Sequence, residues 1–206
     1  MRRVVGQALA IALWVATPAL AGGLPQDKTE DLLPSAGAFT PEELSKNFGR
    51  QQFTPYGDSK FFFEILIPNS WESRLSEVDP DQLAHDAQAP VPMAEFGPAG
   101  ADDVGLQVQY MRVPEQSGLA AFMDKYAQTN GGTIVVRHAL EVEGRAGEEA
   151  LMKMNSDDLG PMLARVAVIR RGEFVFIVSG SATEEKYEKY KRAFGAVVNS
   201  FDPSGK

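Results

Sequence analysis

The chain has 206 residues, no cysteine and a formal net charge of −8. Without thiols it has no disulfides, no cysteine catalysis, no Cys-ligated metal centre and no lipobox. The acidic balance makes nucleic acid and anionic lipid poor partners, and a chain of this length can bury a full core without cross-links.

Arg2 and Arg3 precede an apolar run over residues 8–16, and Ala19-Leu20-Ala21 places small residues where a signal peptidase cuts. The run is shorter than the ~20 residues a membrane span needs. The pattern predicts that residues 1–21 are a cleaved signal peptide, leaving 185 residues from Gly22 with a charge of −10. The expected location is a bacterial periplasm, with no membrane anchor. A twin-arginine signal is the weaker alternative, because the sequence around Val4 and Val5 does not continue that pattern.

Residues 22–57 are rich in Pro, Gly and acidic side chains, which predicts a largely exposed arm. One short helix interrupts it: Thr40 at the N-cap, Pro41 in the first turn and Glu43 three residues after the cap form a start signal, and Gly49 stops it. Phe39, Leu44, Phe48 and Phe53 either pack back on the domain or serve as the partner-binding face of an amphipathic segment.

A single globular domain is expected over residues 58–206. It opens with Phe61-Phe62-Phe63-Glu64-Ile65-Leu66-Ile67, an apolar and aromatic strand closed by Pro68 and followed by Trp71. Its near-continuous apolarity predicts cover on both faces. A short helix is expected over 81–88, then a proline-punctuated loop over 90–98. Val104, Leu106, Val108 and Tyr110 alternate with Gly105, Gln107, Gln109 and Met111, the period of a half-buried strand whose glutamines face water or a partner. A helix over 118–128 carries Leu119, Phe122, Met123 and Tyr126 on one stripe and ends at Asn130-Gly131-Gly132. Strands follow at 133–136 and 140–142, with turns at Gly144 and Gly147, and another at 149–155 leads into a loop over 155–160.

The last quarter organises the chain. Residues 165–170 and 174–178 form a hairpin about Arg171-Gly172-Glu173. Ser181 or Thr183 then caps a helix whose Tyr187, Tyr190, Phe194, Val197, Val198 and Phe201 recur every three or four residues. That aromatic stripe predicts packing on a sheet rather than a cofactor site. The order of elements gives an α+β fold: a mainly antiparallel sheet sandwiched by helices in α/β/α layers.

The strand Phe63-x-Ile65-x-Ile67-Pro68 with Trp71, the closing hairpin, and the helix ending Phe194-x-x-Val197-Val198-x-Ser200-Phe201 together resemble the PsbP-like family, which includes bacterial DcrB-like proteins. The resemblance covers residues 58–202 and rests on fold-making aromatics. It implies a binding or assembly module rather than an enzyme, and it carries over no catalytic residue. The chain departs from the DcrB pattern in having no cysteine to lipidate.

A direct search for chemistry agrees with that expectation. The sequence holds no nucleophile elbow, zinc-protease helix, phosphate loop or dinucleotide fingerprint, and its two histidines, His85 and His138, stand far apart. Asp102-Asp103 and Asp157-Asp158 lack the spacing of a calcium loop. His138, beside Arg137, is expected on a strand at the surface or an edge. No catalytic residue, metal or cofactor is expected. The leading expectation is an accessory protein that binds another envelope protein through its sheet or its arm. The alternative is a small-ligand carrier with a pocket at Trp71, Tyr110 and Tyr126, and a third, hydrolytic class would need His85 or His138 beside a hydroxyl and a carboxylate.

Overall fold

The computed structural model describes residues 31–34, 38–77 and 89–203. The expected signal peptide, the helix expected over 81–88 and His85 lie outside the described residues.

Among the described residues the chain runs α1 (Pro41–Asn47), β1 (Phe48–Phe53), β2 (Phe63–Pro68), β3 (Trp71–Leu75), β4 (Val91–Pro98), β5 (Val104–Arg112), α2 (Leu119–Thr129), β6 (Thr133–Val142), β7 (Arg145–Ser156), β8 (Gly160–Arg171), β9 (Phe174–Thr183) and α3 (Glu184–Ser200). Seven strands form one antiparallel sheet in the order β3-β4-β5-β9-β8-β7-β6, and β1 pairs with β2 in a separate ribbon. Helices lie on both faces of the large sheet, α3 against β8 and β9 on one and α2 against β6, β7 and β8 on the other. This is the α+β sandwich that the element order predicts.

The period-two alternation sorts the strands onto these faces. Val104, Leu106, Val108 and Tyr110 of β5 and Phe176 and Val178 of β9 point to the α3 side. There they meet Tyr187, Phe194, Val197, Val198 and Phe201, the stripe on α3, and the ribbon residues Phe63, Ile65 and Ile67. Phe201 joins the layers, with ring centroids 5.4 Å from Phe63 and 5.8 Å from Phe176. Gly180 leaves room for α3, because a Cβ there would fall 2.3 Å from the Phe194 ring. The opposite face holds a smaller core of Met123 and Ala127 from α2 against Ala150, Met152, Ala164, Val166, Val168, Val175 and Ile177.

Two expectations change. The proline-punctuated stretch 90–98 is strand β4, whose register slips between Pro92 and Ala94, so the prolines are accommodated at an irregularity rather than breaking the strand. The arm expected over 22–57 is, over its described residues, part of the folded body. Leu33 is buried, Phe48 to Phe53 form β1, and the Arg165 guanidinium donates to the Pro34 carbonyl at 2.7 Å. Composition undervalued this segment because the large apolar side chains of its described residues, Leu32, Leu33, Phe39, Leu44, Phe48 and Phe53, land on the core. Thr40 does cap α1, with a complete capping box to Glu43. At α3 the N-cap is Thr183, and Ser181 belongs to β9.

Candidate functional site

Among the described residues the two faces of the large sheet are unequally covered. On the α3 side, helix, ribbon and the segment at Leu33 bury most of the sheet, from Trp71 of β3 to Val136 and Val142 of β6. On the other side α2 reaches β6, β7 and β8, and the floor over β9, β5 and β4 remains as an open cleft of about 700 Å³.

The floor of this cleft is built from alternate strand positions that face away from the main core: Glu95 and Gly97 on β4, Gly105 and Gln107 on β5, Ser179 and Ser181 on β9. They are small or polar because their in-line neighbours do the packing. Leu106 and Val108, for example, flank Gln107 and are buried on the other face. One wall carries Glu72 and Arg74 of β3, and the other carries Tyr126 and Asn130 at the end of α2.

Polar groups in the cleft are already oriented. Glu95 accepts from Arg74 Nη2 at 2.7 Å and from Gln107 Nε2 at 3.1 Å. The Gln107 and Arg74 hydrogen bonds and the Arg74 charge outweigh partial burial, so the Glu95 carboxyl lies below its ordinary range and is ionised at neutral pH. Burial pushes the Tyr126 hydroxyl up, so it is a neutral group, 3.5 Å from Gln109 Oε1. Asn130 turns its amide back to the Tyr126 carbonyl at 2.8 Å. Beyond Tyr126 a second, more apolar cleft of about 560 Å³ is lined by Met111, Val113 and Phe122.

The residues expected to form a ligand pocket are not brought together. Trp71 packs on Tyr190 and Phe194 at centroid distances of 6.3 and 6.1 Å, and Tyr110 packs on Phe61 at 4.4 Å, both on the α3 side. Tyr126 lies on the opposite face of the sheet. Strand parity decides this, since Tyr110 shares a face with Val108 and its neighbours Gln109 and Met111 point the other way.

The candidate partner-binding residues of the arm are also committed to the fold. Phe39 meets Phe48 edge to face at 5.2 Å, Phe53 contacts Phe63 and Phe96 at 5.2 Å each, and Leu44 packs on the same core. Of the two alternatives for this aromatic set, the packed one holds, and these side chains do not form a free docking face.

A second polar cluster lies under α3. Arg165 of β8 and Glu149 of β7 are each about 1% exposed, and Arg165 Nε donates to Glu149 Oε1 at 2.6 Å. His138 of the neighbouring strand β6 places Nε2 3.2 Å from Glu149 Oε2. Burial pushes the Glu149 carboxyl up, but the His138 hydrogen bond and the charge and hydrogen bond of Arg165 pull it down further, leaving it below the ordinary value. Among the described residues no hydroxyl nucleophile bonds to His138, and its Nδ1 is buried without a partner. The arrangement fits a structural clamp, because the other end of Arg165 holds Pro34. Neither Glu149 nor Arg165 stood out in the sequence, where each reads as one more residue of a strand.

Neither acidic pair gathers a metal site: among the described residues no three His, Asp or Glu side chains cluster for one, and Asp103 is engaged by Lys186 at 2.6 Å. No helix among the described residues is long and apolar enough to cross a membrane.

No protein-family model and no curated protein sequence matches the chain. Solved structures do. Cyanobacterial PsbP from Synechocystis superposes with a TM-score of 0.54 at 16% identity, over 76% of this chain and 92% of that one. LpqN, involved in cell envelope biogenesis of Mycobacterium tuberculosis, gives 0.47 at 12% identity, over 82% and 97% of the two chains. A Pseudomonas aeruginosa protein of unknown function gives 0.44 at 12%, over 76% and 99%. The antiparallel sheet with its closing hairpin and C-terminal helix, together with the match to the cyanobacterial protein, identifies the architecture of this chain as the PsbP-like fold.

Proposed function

We propose that this chain is a non-enzymatic accessory protein of the bacterial envelope, exported by its N-terminal leader, that docks another protein on the open half of its sheet. The observation that carries the reading is the unequal cover of the two sheet faces. A floor of Gly105, Gln107, Ser179 and Ser181 with an oriented Glu95–Arg74 pair is solvated and free of bulky side chains, which suits a polypeptide surface better than an enclosed small molecule. The absence of any catalytic motif, and the reading of His138 as one end of a clamp, support the non-enzymatic part.

Ser179→Arg fills the cleft floor without touching the main core. Cross-linked capture from the native envelope should recover a reproducible partner with the natural protein and lose it with this variant, at unchanged circular dichroism and melting temperature. Equal capture by both proteins would remove the cleft from the proposal. The apolar cleft at Met111 and Phe122 favours a second reading, carriage of a small apolar ligand. Native mass spectrometry of protein from its own host tests it, and apo protein alone would exclude it.

A further inference from the structure

We propose that two copies of this chain associate edge to edge through β6, continuing the sheet across a two-fold axis at Ala139. β6 is the last strand of the large sheet, and among the described residues only β7 pairs with it. It is ten residues long and holds neither proline nor lysine, two of the residues that blunt an open edge. A bulge between Ile134 and Val136 disturbs only its first part, so 136–142 is a regular strand with one row of backbone donors and acceptors unpaired by the sheet.

The side chains select the register. Antiparallel pairing of a strand with its own copy places residue i opposite residue j with a constant sum, and the axis runs through one residue. With the axis at Ala139, Arg137 faces Glu141 of the second copy and Glu141 faces its Arg137, so two opposite-charge pairs form per dimer. Exposed Ala139 meets itself, and its small size lets the backbones approach. Moving the axis to 137 or 141 sets like charges opposite each other, moving it to 138 leaves both charged residues without a charged partner across the interface, and moving it to 140 leaves Glu141 opposite Ala139 and sets Arg137 against Glu143, which lies beyond the strand in the β6–β7 turn. Glu141 is exposed and has no ion pair among the described residues, while Arg137 is 38% exposed and is held in place on its own chain by Asp124 at 2.7 Å and Glu148 at 3.8 Å. The proposal goes beyond the docking role of the cleft and leaves it free, since the cleft lies toward the other edge of the sheet.

The chain has no cysteine, so Ala139→Cys reports on this axis alone. Cα atoms across either kind of antiparallel pair are about 4.5–5.5 Å apart, within the range a disulfide bridges. Mild oxidation of A139C should give a disulfide-linked dimer in high yield, whereas T133C, exposed on the same strand but away from the axis, should not. Sedimentation of the purified natural protein should show a monomer–dimer equilibrium in the micromolar range. Glu141→Arg should weaken it at least tenfold, and so should Arg137→Glu. Mixing those two variants should restore association, because a mixed dimer again pairs opposite charges at both positions. A monomer throughout the micromolar range, or E141R dimerising as the natural protein does, would overturn the proposal. So would T133C cross-linking as efficiently as A139C. E141R and A139C change only exposed side chains, so the proposal stands or falls without R137E, which also sets a carboxylate against Asp124 and Glu148.

Discussion

Arg165→Met tests the clamp under α3. The guanidinium is about 1% exposed and makes two short bonds, to Glu149 at 2.6 Å and to the Pro34 carbonyl at 2.7 Å. Methionine fills similar volume, so little is lost in packing. What remains is a buried carboxylate with only His138 beside it, a change that costs about 3–5 kcal/mol in comparable pairs. An orphaned buried carbonyl adds about 1–3 kcal/mol, less than additively because both groups share one partner. A total of about 4 kcal/mol corresponds to a fall in melting temperature of about 8–16 °C for a chain of this size. Glu149→Leu with Arg165→Met removes both charges and should recover most of that loss. Differential scanning fluorimetry and urea titration measure both effects. A shift below about 2 °C for the single variant, or a double variant no better than the single, would refute the reasoning. The pH dependence supplies an independent sign. The folded Glu149 carboxyl lies below its ordinary value of 4.5, so its contribution is complete above that value and is lost as pH falls through the folded value. The acid limb of the natural protein should therefore be steeper than that of the double variant.

Gly180→Ala places a Cβ 2.3 Å from the Phe194 ring and should cost about 1–3 kcal/mol in urea titration, less in a Phe194→Leu background where the ring is gone. Gly195→Ala meets the Pro34 carbonyl at 2.4 Å and Arg165 at 2.7 Å, so it should destabilise the chain and increase proteolytic cutting near Leu33. Glu143 sits at φ 49° before Gly144 at φ 71° in the β6–β7 turn, and Glu143→Asn should raise stability by up to about 1 kcal/mol, read as a higher urea midpoint. Deleting residues 22–57 removes β1 and the Leu33 contact, so the truncated chain should lose cooperative melting and bind a hydrophobic dye rather than lose a partner cleanly.

The parts of this fold legible in the sequence are those where one local signal has one physical cause. Alternation in 104–111 gave β5, and the three-to-four spacing from Tyr187 to Phe201 gave α3 and its buried face. Thr40 and Glu43 marked the start of α1 because a capping box is satisfied within four residues. β4 was hidden because its prolines mimic loop punctuation, and only pairing with β3 and β5 holds it extended. β1 was hidden because Phe48 and Phe53 gain their burial from β2 and Phe96, far along the chain. The same limit separated the aromatic triplet. Trp71, Tyr110 and Tyr126 look alike as side chains, yet strand parity and the side on which α2 crosses the sheet divide them.

The open cleft and the buried clamp are two consequences of one imbalance. The α3 face receives the ribbon, the segment at Leu33 and a long helix, so it can hide even a charged pair, provided Arg165 finds both a carboxylate and a carbonyl. Among the described residues the α2 face receives a single helix of eleven residues, too short to span seven strands, so β4, β5 and β9 present side chains that tolerate water. Gln107 and Gln109 were readable as outward-facing, but a lone glutamine on a strand does not distinguish a solvated surface from a site. What makes these positions a candidate site is that Gly97, Gly105, Ser179 and Ser181 are small at the same depth on three adjacent strands, a coincidence created only by their register. A sheet that had merely to face water could carry long charged side chains there, as Arg74 does on β3. Keeping the floor low makes it accessible to a second molecule, and that is the physical reason to seek the function of this chain on that face.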